Sequence, residues 1–186
     1  MTVRELLTEV AFILEGEELS AEVSSVENAE NSNYADKIKN LLMAFNRIQS
    51  EVAINFIAPI SEVEFTKSEE QIYELCPRLK RIISVIDGSG KETRYKIEGD
   101  RFKANAQKGV VRYEYIPEDC DLDGEFIYDG KLIGKRAFIY GTCAEYCLCS
   151  ARYDEAVNWE NRYRQATEVR SSYSSKRIKA GRTWGL

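Results

Sequence analysis

Two short stretches carry side chains of the right kind and spacing to do chemistry. Asp119-Cys120-Asp121-Leu122-Asp123-Gly124 sets acids at positions 1, 3 and 5 and glycine at 6, the opening of a calcium-binding loop. Such a loop also needs an acid at position 12 to grip the ion with both oxygens. Gly130 stands there, and the segment before the stretch reads as a strand ending in Pro117, not as a helix. An acidic, solvent-exposed linker is the expectation. Cys143, Cys147 and Cys149 form the second stretch. On a helix Cys143 and Cys147 share a face while Cys149 points about 160° away from Cys147, so a single tetrahedral metal centre would require unwinding. Buried cysteine behaves as a small hydrophobe, and core packing is expected. Glu145, Asp154 and Glu155 could pair as acid and base, but nothing separates them from a solvated helix face. Gly88-Ser89-Gly90 lacks any phosphate-binding fingerprint and reads as a hairpin turn.

The 186 residues include no histidine. That removes the Ser-His-Asp triad, the Cys-His pair, the histidine general base and every histidine-containing metal site. The chain is expected not to be an enzyme and to need no metal or cofactor. Its five cysteines are an odd number without a secretory leader before them, so free thiols in a reducing compartment are expected. No apolar run approaches the roughly 18–20 residues that span a bilayer, and no membrane partner is expected.

The elements around these residues follow from hydrophobic period. Thr2 and Glu5 form a capping-box pattern ahead of Leu6, Leu7, Val10, Ile13 and Leu14, and Gly16 closes that helix. Residues 17–33 are acidic and aperiodic and read as an exposed loop. Ile38, Leu41, Leu42, Phe45, Ile48, Val52 and Phe56 mark a longer helix ended by Pro59. The period then falls to two. Residues 81–86 lead into the Gly88–Gly90 turn with 93–97 as hairpin partner, and Gly109–Ile116 alternates before Pro117. Helical period returns over 131–150 and again after Asp154, where two acids suit the positive helix end. The expected fold class is α+β: a bundle of four main helices with an inserted small antiparallel β module of about five strands and an extended basic C-terminal tail. The expected parts are N-terminal helices over 1–58, the β module over 59–118 and an acidic linker over 119–129. A C-terminal helical pair over 130–170, packed on the N-terminal helices, and a basic tail over 171–186 complete the list. The core of the helical pair is assigned to Tyr140, Ala144, Tyr146, Cys147, Tyr153, Ala156, Trp159 and Tyr163.

Charge is polarised along the chain. Residues 1–65 carry −8, 66–150 carry −1 and 151–186 carry +4 within a net −5. From Arg170 onward stand Arg170, Lys176, Arg177, Lys179 and Arg182 with no acid, together with Trp184. These six residues are the expected partner-docking tail. They suit an acidic protein surface, or nucleic-acid phosphates with an aromatic stacking partner. The overall acidity counts against free-standing nucleic-acid binding.

Residues Ala137–Tyr163, with Gly141-x-x-x-Glu145-Tyr146 followed by Tyr153-x-Glu155-Ala156-x-x-Trp159 and a basic tail, resemble the C-terminal helical pair of head–tail connector (adaptor) proteins of tailed phages and prophages. The opening Thr2-Val-Arg-Glu-Leu-Leu, the helix ending Glu51-Val-Ala-Ile-Asn-Phe-Ile and the strand Tyr113-Glu-Tyr-Ile-Pro117 are similar to that group as well. The tail departs from the family's compact Arg-Arg-Trp pattern, reading Ala180-Gly-Arg-Thr-Trp184. The resemblance implies a structural virion protein, made in the host bacterial cytoplasm and placed at the head–tail interface. It implies a ring, a dodecamer matching the portal, with the tail reaching into the portal protein. A stopper or tail terminator would be the next neck or tail component, and genomic DNA would pass through the channel during ejection. A nucleic-acid-binding accessory protein that uses the same basic tail is the alternative. A tetratricopeptide scaffold is excluded because Tyr153-Asp-Glu-Ala156 does not recur.

Overall fold

The structure is a computed structural model that describes residues 1–25, 33–128 and 133–178, with side chains described through Glu168. Helices and strands run in the order α1 (Val3–Glu15), α2 (Glu17–Ser25), α3 (Ala35–Asn55), β1 (Ile60–Phe65), β2 (Glu69–Gln71) and α4 (Ile72–Leu75). Then come β3 (Leu79–Asp87), β4 (Tyr95–Glu98), β5 (Arg101–Ala104), β6 (Gly109–Tyr115), α5 (Lys135–Cys149) and α6 (Tyr153–Ile178). The chain divides into two compact units, one of Met1–Glu51 with Glu118–Leu186 and one of Val52–Pro117.

This corrects the expected fold class. A four-helix bundle with one small β module is not what the chain forms: the described residues hold six helices and two three-stranded antiparallel sheets. The fifth helix is α2, in the segment read as a loop. Leu19 and Val23, four residues apart, are both buried, and two apolar residues on one face are enough to dock a short polar helix. The sixth is the single turn α4, which buries Ile72 and Leu75. The expected extended tail is corrected too, because α6 continues as helix to Ile178 through Arg170, Lys176 and Arg177.

In the helical unit the Thr2–Glu5 capping box forms as the residue types dictate. The Glu5 amide donates to Thr2 Oγ1 at 3.2 Å, the Thr2 amide donates to Glu5 Oε2 at 3.0 Å, and Gly16 at φ +89° ends α1. Leu6, Leu7 and Val10 of α1, Leu41 and Phe45 of α3, and Phe138, Cys143 and Cys147 of α5 are buried together in this unit. Phe126, Tyr128 and Phe138 make an aromatic cluster, the Phe126 and Phe138 rings edge to face at 4.8 Å.

The acidic linker does not lie loose in solvent. Leu122 and Gly124 carbonyls accept the Arg4 and Val3 amides at 2.7 and 2.9 Å, supplying partners to the exposed first turn of α1. Asn46 of α3 exchanges two hydrogen bonds with the Cys120 backbone, each 3.1 Å, and Gln49 Nε2 donates to the Glu118 carbonyl at 3.1 Å. The segment is thus strapped across α3 and the start of α1.

The β unit is built from three passes of chain, each of which gives one strand to each sheet. The first pass supplies β1 and β2, the second β3 and β4, and the third β5 and β6. The third pass is central in both sheets, whose orders are β1-β6-β3 and β2-β5-β4. Phe65, Val85, Phe102, Val111 and Tyr113 meet in one core. The hairpin expected between 81–86 and 93–97 stops after a single bridge, Ile86 to Glu92. Asp87 Oδ1 accepts the Ser89 and Lys91 amides, which tightens the loop, and Gly90 takes φ +84°. Beyond it the chain leaves β3, and β4 pairs with β5, where Tyr95 stacks on the buried Phe102 at 6.1 Å.

Candidate docking surface on the helical unit

The residues assigned to the helical pair separate into core and surface. Ala144, Tyr146, Cys147, Ala156 and Tyr163 are buried. Tyr163 Oη donates to Glu51 Oε1 at 3.1 Å, which satisfies its hydroxyl inside the unit. Tyr140 and Trp159 are half-buried and stack on each other with ring centroids 5.8 Å apart. Tyr153 is not core: it stands 62% exposed in the first turn of α6, while Ala156 in the same turn is buried. Leu148 and Val157 are exposed as well. Of the docking-tail residues, Arg170, Lys176 and Arg177 lie within α6, and Lys179, Arg182 and Trp184 fall outside the described residues.

Cys143 and Cys147 sit in the core and Cys149 is exposed, so the three thiols do not converge. Burial pushes the Cys76 and Cys143 thiols up to about 12 and Cys120 up to about 11, which keeps them protonated and weakly nucleophilic. Among the described residues no group of three or more His, Cys, Asp or Glu is placed to hold a metal ion. Asp123, part of the calcium-like stretch, instead grips Arg4. No described helix is long and apolar enough to cross a membrane.

Sequence reasoning missed a cleft where α5 begins beside the middle of α6. It encloses about 810 Å³ and is lined by Glu9, Lys135, Arg136, Ile139, Tyr140, Arg162, Gln165 and Ala166, with Gly134 and Ala137 at the helix start. Its floor is apolar and its rim is cationic. Among the described residues seven arginines hold a carboxylate: Arg4, Arg47, Arg81, Arg101, Arg112, Arg152 and Arg164. Arg78, Arg94, Arg136 and Arg162 hold none, and of these four exposed arginines Arg136 and Arg162 line the cleft. Arg162 lies over the Trp159 ring at 4.6 Å, and that ring rests on Tyr140. Lys135 is held by Glu9. The available signal was the i, i+3 spacing of Trp159 and Arg162 on one helix, one turn beyond the acids that start it.

The arrangement can receive anionic groups over an apolar floor, and α6 carries the cationic character onward through Arg170, Lys176 and Arg177. On the other side of the charge balance, residues 15–36 contain seven acids and no base. Neither protein-family models nor curated proteins contain a match to this chain.

Proposed function

We propose that the chain is a structural head–tail connector: an adaptor that assembles as a ring beneath the portal and joins the DNA-filled capsid to the neck and tail. The reading rests on the resemblance of Ala137–Tyr163 to the helical pair of such adaptors. The observation that carries it furthest is the segregation of charge on the helical unit. Arg136 of α5 and Arg162 of α6 hold no carboxylate among the described residues, and Arg170, Lys176 and Arg177 follow along α6. Residues 15–36, by contrast, contain seven acids and no base. Complementary patches on different elements make heterologous contacts, which close into rings when the rotation allows. In this role the chain works through surfaces. The basic end of α6 reaches the portal, a stopper or tail terminator follows on the far side, and genomic DNA passes through the channel.

The test mixes full-length chain with assembled portal and measures mass and co-sedimentation. A ring matching the portal's symmetry is the expected result, and free monomer alone overturns the reading. Truncation after Ser171 removes Lys176 and Arg177 and should abolish portal docking. If truncation abolishes salt-sensitive DNA affinity instead, the chain is a nucleic-acid-binding accessory protein, the reading favoured by cations set beside the Tyr140–Trp159 stack.

A further inference from the structure

We propose that the cationic cleft between the start of α5 and the middle of α6 receives the acidic outer face of α2 from a second copy of this chain. The inference deepens the ring reading and rests on it for closure, since it names the two surfaces that meet.

The cleft asks for carboxylates in number. Glu9 answers Lys135 from within the same copy, and Arg136 and Arg162 are left with no carboxylate among the described residues. Arg136 and Arg162 both line the cleft and are exposed, so each can meet a carboxylate from outside the copy. Ile139, Ala137 and Ala166 give the cleft an apolar floor that excludes water once it is covered, and this strengthens ion pairs formed at its rim.

The complementary surface lies on α2. Leu19 and Val23 face inward, so Glu17, Glu18 and Ala21 are exposed, with Glu18 Oε2 accepting the Tyr34 hydroxyl at 3.0 Å. The helix is fixed in its own copy: Ser20 Oγ donates to the Thr8 carbonyl at 3.0 Å, and Arg4 Nη1 donates to the Val23 carbonyl at 2.8 Å. With α2 anchored along α1 in this way, Glu17 makes no ion pair among the described residues, so its charge is offered outward. Helix and cleft belong to the same compact unit and occupy different elements of it. A contact between them is therefore head to tail, the kind that propagates around a ring. Nucleic acid would suit the cations of the cleft, but it would be repelled by α2, whose only charged residues are acids.

Charge reversal tests the pairing. Sedimentation velocity of the full chain at low and high salt should show self-association that weakens as salt screens the contact. Arg136→Glu with Arg162→Glu should abolish it, and Glu17→Lys with Glu18→Lys should do the same. Mixing the two variants should restore association, because each reversed surface then meets an opposite charge on the other variant. Unchanged melting of each variant shows that the effect is not misfolding. Association that survives cleft reversal, failure of the mixture to recover, or a wild-type chain that is monomeric at every concentration and salt overturns the proposal. A single-stranded oligonucleotide is titrated in parallel, and loss of its binding on cleft reversal without loss of self-association assigns the cleft to phosphate and also overturns it. Self-association through these surfaces without portal co-sedimentation would refute the connector while leaving this contact standing. Portal binding that persists with an irrelevant cleft would do the reverse.

Discussion

Arg4 clasps Asp123 with two parallel hydrogen bonds, Nε to Oδ1 at 2.8 Å and Nη2 to Oδ2 at 3.0 Å, across 119 residues of chain. The clasp holds the linker against the first turn of α1, whose Val3 and Arg4 amides it also satisfies. Hydrogen bonding by the Arg4 guanidinium, opposed by desolvation and aided by its charge, holds the Asp123 carboxyl below the usual carboxylate range. A depressed carboxylate contributes stability that is present above its unfolded value near ~4 and is lost as pH falls through its lower folded value. Asp123→Asn should therefore flatten the acid limb of the stability curve below about pH 4. It should also speed amide exchange at Val3 and Arg4. Unchanged exchange at both amides would show that the strap holds without the clasp.

Gly141 lets α5 press close to α3 and α6. A Cβ there would meet Ile48 Cγ2 at 2.9 Å and Tyr163 Cδ2 at 3.1 Å. Gly141→Ala gains about 1 kcal/mol of helix propensity. Against that stands an overpacking cost of about 1–3 kcal/mol in a filled core. Net destabilisation of up to about 2 kcal/mol is expected from urea unfolding, and Gly141→Val should cost more. A stabilised alanine variant would mean that Ile48 swings aside freely.

What could be read from the chain and what could not divide along physical lines. The capping box at Thr2 and Glu5, the apolar stripe from Ile38 to Val52 and the alternation of β6 are local patterns, and each was legible. The α2 helix was not, because its nine residues are mostly acidic or small and only Leu19 and Val23 mark its face. Strand partners were not legible either. Tyr95–Glu98 has a good turn before it, yet β4 pairs with β5, where Tyr95 stacks on Phe102, a contact between residues that no local pattern joins. Tyr153 reads as core from its neighbours, yet in the first turn of α6 Ala156 is buried and Tyr153 is turned to solvent. The cleft at Arg136 and Arg162 joins residues 26 apart, so no short motif contains it.

The five thiols should separate by accessibility. Cys149 is exposed, whereas Cys76, Cys143 and Cys147 are buried, and burial holds the Cys76 and Cys143 thiols up to about 12. The thiolate is the reactive form, so an aromatic disulfide reagent at neutral pH should label Cys149 rapidly. Cys120, half-buried and up to about 11, should follow slowly, and the other three only in denaturant. Peptide mass mapping reads the order. Fast labelling of Cys143 would show that α5 is not packed as described.

Alkaline pH should weaken the helical unit through Tyr163. Burial first, then the charge of Glu51 and the hydrogen bond to it, raise the Tyr163 hydroxyl far above its ordinary value, and burial raises Tyr146 in the same direction. A tyrosine raised in the fold contributes stability in full below its unfolded value of about 10. That stability is lost as pH climbs further, because the unfolded chain releases a proton that the folded one keeps. Tyr163→Phe removes the hydrogen bond to Glu51 and should cost about 1 kcal/mol at neutral pH. Above pH ~10 the variant has one fewer proton to lose on unfolding, so its stability should decline less steeply, by about 1.4 kcal/mol per pH unit. The two curves should therefore converge, and thermal melts between neutral pH and pH ~11 read the convergence. Parallel curves would mean that Tyr163 ionises in the folded protein, and the buried contact with Glu51 would then have to open at high pH.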